Sequence, residues 1–172
     1  MKLSDAIARF DARVNQAVDK VRSPPLDTFM YRLSSSADHS LIWHCAGLVR
    51  GMRHADFEGA ARFAGALGVE SALTNGPIKM IFERVRPLPY EEVEFRYGLR
   101  KPITSSFPSG HATAAFCAAT LLGGGVGWYG AAAAVASTRV YVRLHYASDV
   151  IAGAALGTLL GLGMRPFVRW RE

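Results

Sequence analysis

Three short stretches hold most of the residues able to do chemistry near neutral pH. "KMIFERVRP" (79–87) offers Lys79 and Arg86, seven apart, with Glu83 between them. "PSGH" (108–111) sets His111 behind Pro108, Ser109 and Gly110, at the mouth of a long apolar run. "STRVYVRLHYASD" (137–149) carries Arg139, then His145, then Asp149 four residues later. Lysine and arginine hold phosphate oxygens, arginine through a forked contact. Pro108 and Ser109 are good helix-start residues, and a helix start offers unpaired N–H groups to an anion. Gly110 allows the backbone to come close. An aspartate that accepts from one imidazole nitrogen fixes the tautomer and leaves the other nitrogen as nucleophile or base. Each stretch alone has an ordinary reading: a basic helix end, a cap, a structural hydrogen bond. Together they supply three cations, two histidines and one aspartate. One histidine would attack phosphorus and the other would protonate the leaving oxygen. These are the parts for phosphoryl transfer without a metal.

Spacing adds geometry. A continuous helix would put Lys79 and Arg86 two turns apart on one face, with Glu83 in reach of either. His145 and Asp149 would also share a face. Arg139, six residues before His145, falls about 120° away in a continuous helix. A helix break near 143–147 is therefore expected.

The elements that must position these groups are apolar. No Asp, Glu, Lys or Arg occurs in the 27 residues between His111 and Arg139, or in the 15 between Asp149 and Arg165. A bilayer core needs about 20 apolar residues. The first run is interrupted by "GGGVGWYG" (123–130), which reads as a glycine-rich turn between two short spans. The expected spans are 38–52, 57–78, 111–126, 128–143 and 148–165. Their Ala and Gly content suits helices that approach closely in lipid. The chain is thus expected to be all-α: a membrane-embedded bundle of about five spans. On this topology the 79–110 connection, PSGH and residues 139–149 share one membrane face.

Residues 2–22 read as an amphipathic helix, with Leu3, Ile7, Phe10, Val14, Ala17 or Val18, and Val21 at spacings of three and four. It would lie in the membrane interface or against the bundle, and "SPP" (23–25) stops it. A further short helix is expected over 26–37. The division is then 1–25, the N-terminal helix, and 26–172, the transmembrane domain. The formal charge of +6 lacks the clustered basic face of a nucleic-acid binder. It suits anionic headgroups or an anionic substrate. Cys45 and Cys117 read as buried free thiols. The charged first 22 residues do not read as a cleavable signal. His39, His44 and His54 match no motif and read as structural or surface residues. Glu70, ionisable within an expected span, reads as a polar contact inside the bundle.

With these motifs in view, the sequence resembles the type 2 phosphatidic acid phosphatase family, membrane-embedded lipid phosphatases related to vanadium haloperoxidases. That family carries K-x6-RP, PSGH and SR-x5-H-x3-D. Here they stand as Lys79 with Arg86-Pro87, as Pro108 to His111, and as Arg139 with His145 and Asp149, in order and in register. Thr138 replaces the usual serine; a hydroxyl is kept and a methyl added. The resemblance, over about 26–165, implies that His145 is the nucleophile and forms a phosphohistidine. It implies that Asp149 orients His145, and that His111 is the general acid and later the base. Lys79, Arg86, Ser109, Gly110 and Arg139 would bind phosphate, with no metal and no cofactor.

The substrate implied is a lipid-borne phosphate, in a cell (inner) membrane protein. Small bacterial members of this kind act on polyprenyl substrates. Decaprenylphosphoryl-5-phosphoribose of cell-wall arabinan synthesis and undecaprenyl diphosphate are the candidates, with phosphatidic acid or phosphatidylglycerophosphate as alternatives. Association with a polyprenyl-pathway enzyme would fit. Two other readings stand beside this one: a soluble phosphatase or haloperoxidase of the same superfamily, and a non-catalytic membrane scaffold. Basic residues occur on both faces, and the richer one, with the N-terminal helix, is expected to face the cytoplasm.

Overall fold

The computed structural model describes residues 2–88, 99 and 104–171. Its order is α1 (Leu3–Val21), α2 (Pro24–Ser36), a 3-10 turn (Asp38–Ser40), α3 (Leu41–Arg53), α4 (Phe57–Leu73), a π turn (Thr74–Ile78), α5 (Gly110–Leu121), α6 (Val126–Tyr141) and α7 (Ala147–Met164). The described residues contain no strand. Residues 89–98 and 100–103 of the long connection, with Pro89 and Pro102, lie outside the described residues.

α5 is the hub. Ala112, Ala115, Cys117, Ala118 and Ala119 are all fully buried, so this helix is apolar all round, as a core helix must be. α7 meets it through Gly153, Gly157 and Gly161, one glycine per turn. A Cβ at Gly153 would lie 2.6 Å from the Ser109 carbonyl oxygen, and one at Gly161 would lie 2.7 Å from Thr120 Cβ. At Gly157 it would collide with the Thr113 carbonyl. The two helices touch backbone to backbone, the close approach that small residues permit. The α5–α6 turn uses Gly123 (φ 116°) and Gly124 (φ 68°), left-handed positions that glycine takes without strain. It is the turn expected at 123–130.

Several boundaries differ from expectation. α4 gives way to the π turn at Thr74, where Gly76 is non-helical and Pro77 removes a donor. Residues 82–86 have no helix. Lys79 and Arg86 therefore do not share a continuous helix face, and Glu83 stays exposed. Among the described residues only α7 is long and apolar enough to cross a membrane. α3, at 13 residues, spans ~20 Å against a core of ~30 Å. Five full crossings are thus not supported by helix length. Leu48, Val49, Met52, Val69, Ile151 and Leu159 are exposed on the outside, an apolar surface of the kind lipid covers. Cys45 is also exposed, contrary to expectation, while Cys117 is buried. Cys45 sits on an α3 face that turns away from the bundle.

α1 packs on the bundle. Its Asp11 is 2% exposed, a buried carboxylate on an otherwise surface helix.

Candidate functional site

A cavity of about 390 Å³ opens among α4, α5, α6 and the 3-10 turn. Its wall includes Lys79, Arg86, Gly110, His111, Arg139 and His145. Ser109 and Asp149 stand behind that wall. Ser109 caps α5, its hydroxyl accepting from Ala112 N–H at 3.5 Å, while its own N–H donates to the Asp149 carbonyl at 3.1 Å. The Ser109 N–H is thus committed within the protein, unlike the free donor expected at this helix start. Gly110 faces the cavity, and a Cβ there would come within 3.0 Å of Asn75 Oδ1 and 3.7 Å of Lys79 Nζ.

The break expected before Asp149 is present. α6 ends at Tyr141 and α7 starts at Ala147, with Arg143 in the left-handed region (φ 60°). The His145 N–H donates to the Arg139 carbonyl at 3.1 Å, folding the histidine back beside that arginine. Arg86 donates from Nη1 to the Leu144 carbonyl at 2.6 Å and from Nη2 to the Thr104 carbonyl at 2.9 Å. The same Nη1 lies 3.3 Å from His145 Nε2. A guanidinium only donates, so the Nε2 lone pair faces it and the ring proton belongs on Nδ1. That is the tautomer a nucleophilic Nε2 requires. Burial, then Arg86, Arg139 and Lys79, pushes the His145 pKa well below its ordinary value against the pull of Asp149. The ring is held neutral and able to attack.

Asp149 does not bond His145 as expected. Nδ1 and Oδ2 are 3.7 Å apart, and Nδ1 has no hydrogen-bond partner. Asp149 is instead fixed by Ser106 Oγ, by the Tyr146 N–H at 2.9 Å and by Arg84 Nη1 at 2.5 Å. Arg84 in turn donates from Nη2 to Asp11 of α1 at 2.7 Å and stacks over Tyr146, 4.4 Å from the ring centre. Asp11 also accepts from Ser148 N–H at 2.9 Å and Ser148 Oγ at 2.7 Å. One guanidinium is therefore shared by two buried carboxylates. Without Asp11, Arg84 would neutralise Asp149 alone. Asp11→Asn and Arg84→Ala are each expected to lower kcat about 10- to 100-fold, or ~1.4–2.7 kcal/mol. KM should move less than threefold. A kinetic comparison on folded variants checks this.

Lys79 lies 3.2 Å from Thr104 Oγ1. Burial first, then Arg86 and Arg139, lowers its pKa to about 8. Arg139 donates to Ser34 Oγ at 2.6 Å, and His111 Nε2 is 3.0 Å from Asp38 Oδ1. The Thr138 hydroxyl donates to the Val135 carbonyl at 2.6 Å inside its own helix. Glu70 lines the cavity floor and accepts from Thr74 at 2.9 Å, a polar contact inside the bundle. His39, exposed at the surface, also lines the cavity. Sequence reasoning missed Asp11, Ser34, Asp38, Arg84 and Ser106. The one available signal was Arg84, which lies inside the first motif between Lys79 and Arg86.

The family model of the PAP2 superfamily matches residues 59–172, well over half of the chain. The chain belongs to the PAP2 superfamily. A curated relative, the lipid A 1-phosphatase of Porphyromonas gingivalis, is 39% identical over 80 residues, covering 40% of this chain. The matched part is 18% of that protein's length. In fold, the chain is similar to the transmembrane PAP2-type phosphatidylglycerolphosphate phosphatase of Bacillus subtilis. The TM-score is 0.71 over 94% of this chain and 86% of the other, at 23% identity. That second likeness is one of fold.

Proposed function

We propose that this PAP2 chain is a membrane phosphatase that hydrolyses a lipid-borne phosphomonoester without a metal ion, through a phosphohistidine on His145. The observation that carries this reading is the cavity wall itself: His111, His145 and three cations around about 390 Å³, with the His145 Nε2 lone pair set among the cations. Lys79, Arg86 and Arg139 would hold the phosphate dianion, and Gly110 would leave room for it. Nε2 of His145 attacks phosphorus, the P–O bond to the alcohol breaks, and His111 gives its proton to the leaving oxygen. His111 then takes a proton from water, hydroxide attacks phosphorus, the P–N bond breaks and phosphate leaves. Asp149 steadies the imidazolium that forms.

Within this class we favour a polyprenyl-linked phosphate such as decaprenylphosphoryl-5-phosphoribose. A second cavity of about 420 Å³, almost wholly apolar and lined by Val18, Met30, Val140 and Ile151 among others, supports a substrate with a long hydrocarbon tail. The two relatives act, by their names, on lipid A and on phosphatidylglycerolphosphate, so both belong in the test. Detergent-purified protein with a chelator present should release phosphate from one of four lipids: polyprenyl-phosphate sugar phosphate, polyprenyl diphosphate, phosphatidylglycerophosphate and lipid A. Release from none of them by folded protein would favour a non-catalytic scaffold.

The alkaline limb should report Lys79. With its pKa lowered to about 8, Lys79 is charged below that pH and loses its proton above it. The kcat/KM of the free enzyme should then fall as pH rises through about 8. Lys79→Arg, which stays charged, should move that fall upward by more than a unit. A pH profile of both proteins decides it.

A further inference from the structure

We infer that Asp38 is a positioning residue for His111, so that a carboxylate stands beside each of the two histidines that the reaction uses; this rests on the phosphatase reading above. Asp38 Oδ1 lies 3.0 Å from His111 Nε2, and both residues line the cavity. The two side chains are largely enclosed, at 15% and 18% exposure.

The chain reaches this arrangement by an uncommon route. α2 ends at Ser36 and α3 starts at Leu41, so a short turn must reverse the backbone. His39 (φ 52°, ψ 27°) and Ser40 (φ 60°, ψ 22°) both adopt left-handed conformations. For residues with a Cβ each such conformation is strained. Two in succession persist only where surrounding packing dictates them. Here Ala37 and Trp43, both buried in the core, anchor the two ends of the turn. The result is that Asp38 is presented inward, to the histidine of a helix 73 residues away in sequence.

The chemistry explains why a carboxylate belongs there. A general acid must carry its proton before the reaction. His111 has to do so in a cavity it shares with Lys79 and Arg139. Asp38 is the anion that balances that charge at hydrogen-bond distance. With Nε2–H donated to Asp38, Nδ1 is the nitrogen that carries the transferable proton. In the first step that proton goes to the alkoxide as its bond to phosphorus breaks. In the second step Nδ1 takes a proton from water. The alternative, that Asp38 merely ties the 3-10 turn to α5, predicts instability without any change in chemistry.

Leaving groups separate the two. An alkyl alcohol leaves phosphorus only if it is protonated, whereas p-nitrophenolate leaves unaided. The measurement is the single-turnover rate of bond cleavage on a lipid-borne alkyl phosphate and on p-nitrophenyl phosphate. Wild type, Asp38→Asn, Asp38→Glu and His111→Ala are compared, with thermal unfolding followed for each. For Asp38→Asn the alkyl ester is expected to slow about 100-fold, the usual worth of general acid catalysis. The p-nitrophenyl ester should slow less than about threefold. His111→Ala should show the same split, and Asp38→Glu should recover part of the loss. Equal losses on both esters, or no loss on either, would overturn the inference. Wild-type protein that cleaves neither ester would overturn the phosphatase reading, and the inference with it.

Discussion

His145→Ala is expected to abolish turnover, lowering kcat by on the order of 10⁴-fold or more, the scale seen when a covalent nucleophile is removed. The expectation rests on Nε2, the ring nitrogen that faces Arg86 at 3.3 Å. His111 is bonded to Asp38 through its own Nε2. Trapping separates the nucleophile from a mere phosphate ligand. A substrate labelled at phosphorus should leave an acid-labile, base-stable mark on the wild type. His145→Ala should carry none. His111→Ala, slow to activate water, should retain the mark longer. A labelled His145→Ala protein would end the assignment.

The second large effect concerns stability. Gly157→Ala places a methyl group onto the Thr113 carbonyl. Neither backbone can yield without parting α5 from α7. The cost is about 3 kcal/mol or more, at the upper end for overpacking. The comparison is Gly65→Ala on the exposed face of α4, where a Cβ meets nothing within 4 Å. There the change should stabilise by ~0.5–1 kcal/mol, since glycine is a poor helix residue. Thermal unfolding in one detergent compares the two. Similar shifts for both would show that α5 and α7 do not meet as described.

The candidate site residues were legible because the proposed chemistry fixes both their type and their spacing. Lys79, Arg86, His111, Arg139 and His145 converge on one cavity, although the first two do so without the helix that their spacing suggested. Gly76 and Pro77 undo that helix, and a loop brings Arg86 to the same place. The supporting residues were not legible, because each meets its partner across the fold. Asp11 looks like one more charge on the polar side of an amphipathic helix; only the packed bundle shows it buried against Ser148 and Arg84. Asp38 stands in a polar connection, and no periodicity marks the turn that points it at His111. Hydropathy counts apolar residues, and does not separate those that face lipid from those, like most of α5, that are enclosed by protein.

The bond from α1 to Arg84 bears on where this protein can be cut. The stretch that matches the family begins at residue 59, and all three motifs lie within it. Yet Asp11, Ser34 and Asp38, which hold Arg84, Arg139 and His111, all precede it. A fragment chosen by its motifs would keep every proposed phosphate ligand and discard the groups that hydrogen-bond Arg84, Arg139 and His111. Even a chain starting at residue 26 would lose Asp11. For expression, tagging or grafting, a unit that keeps these contacts therefore has to include α1.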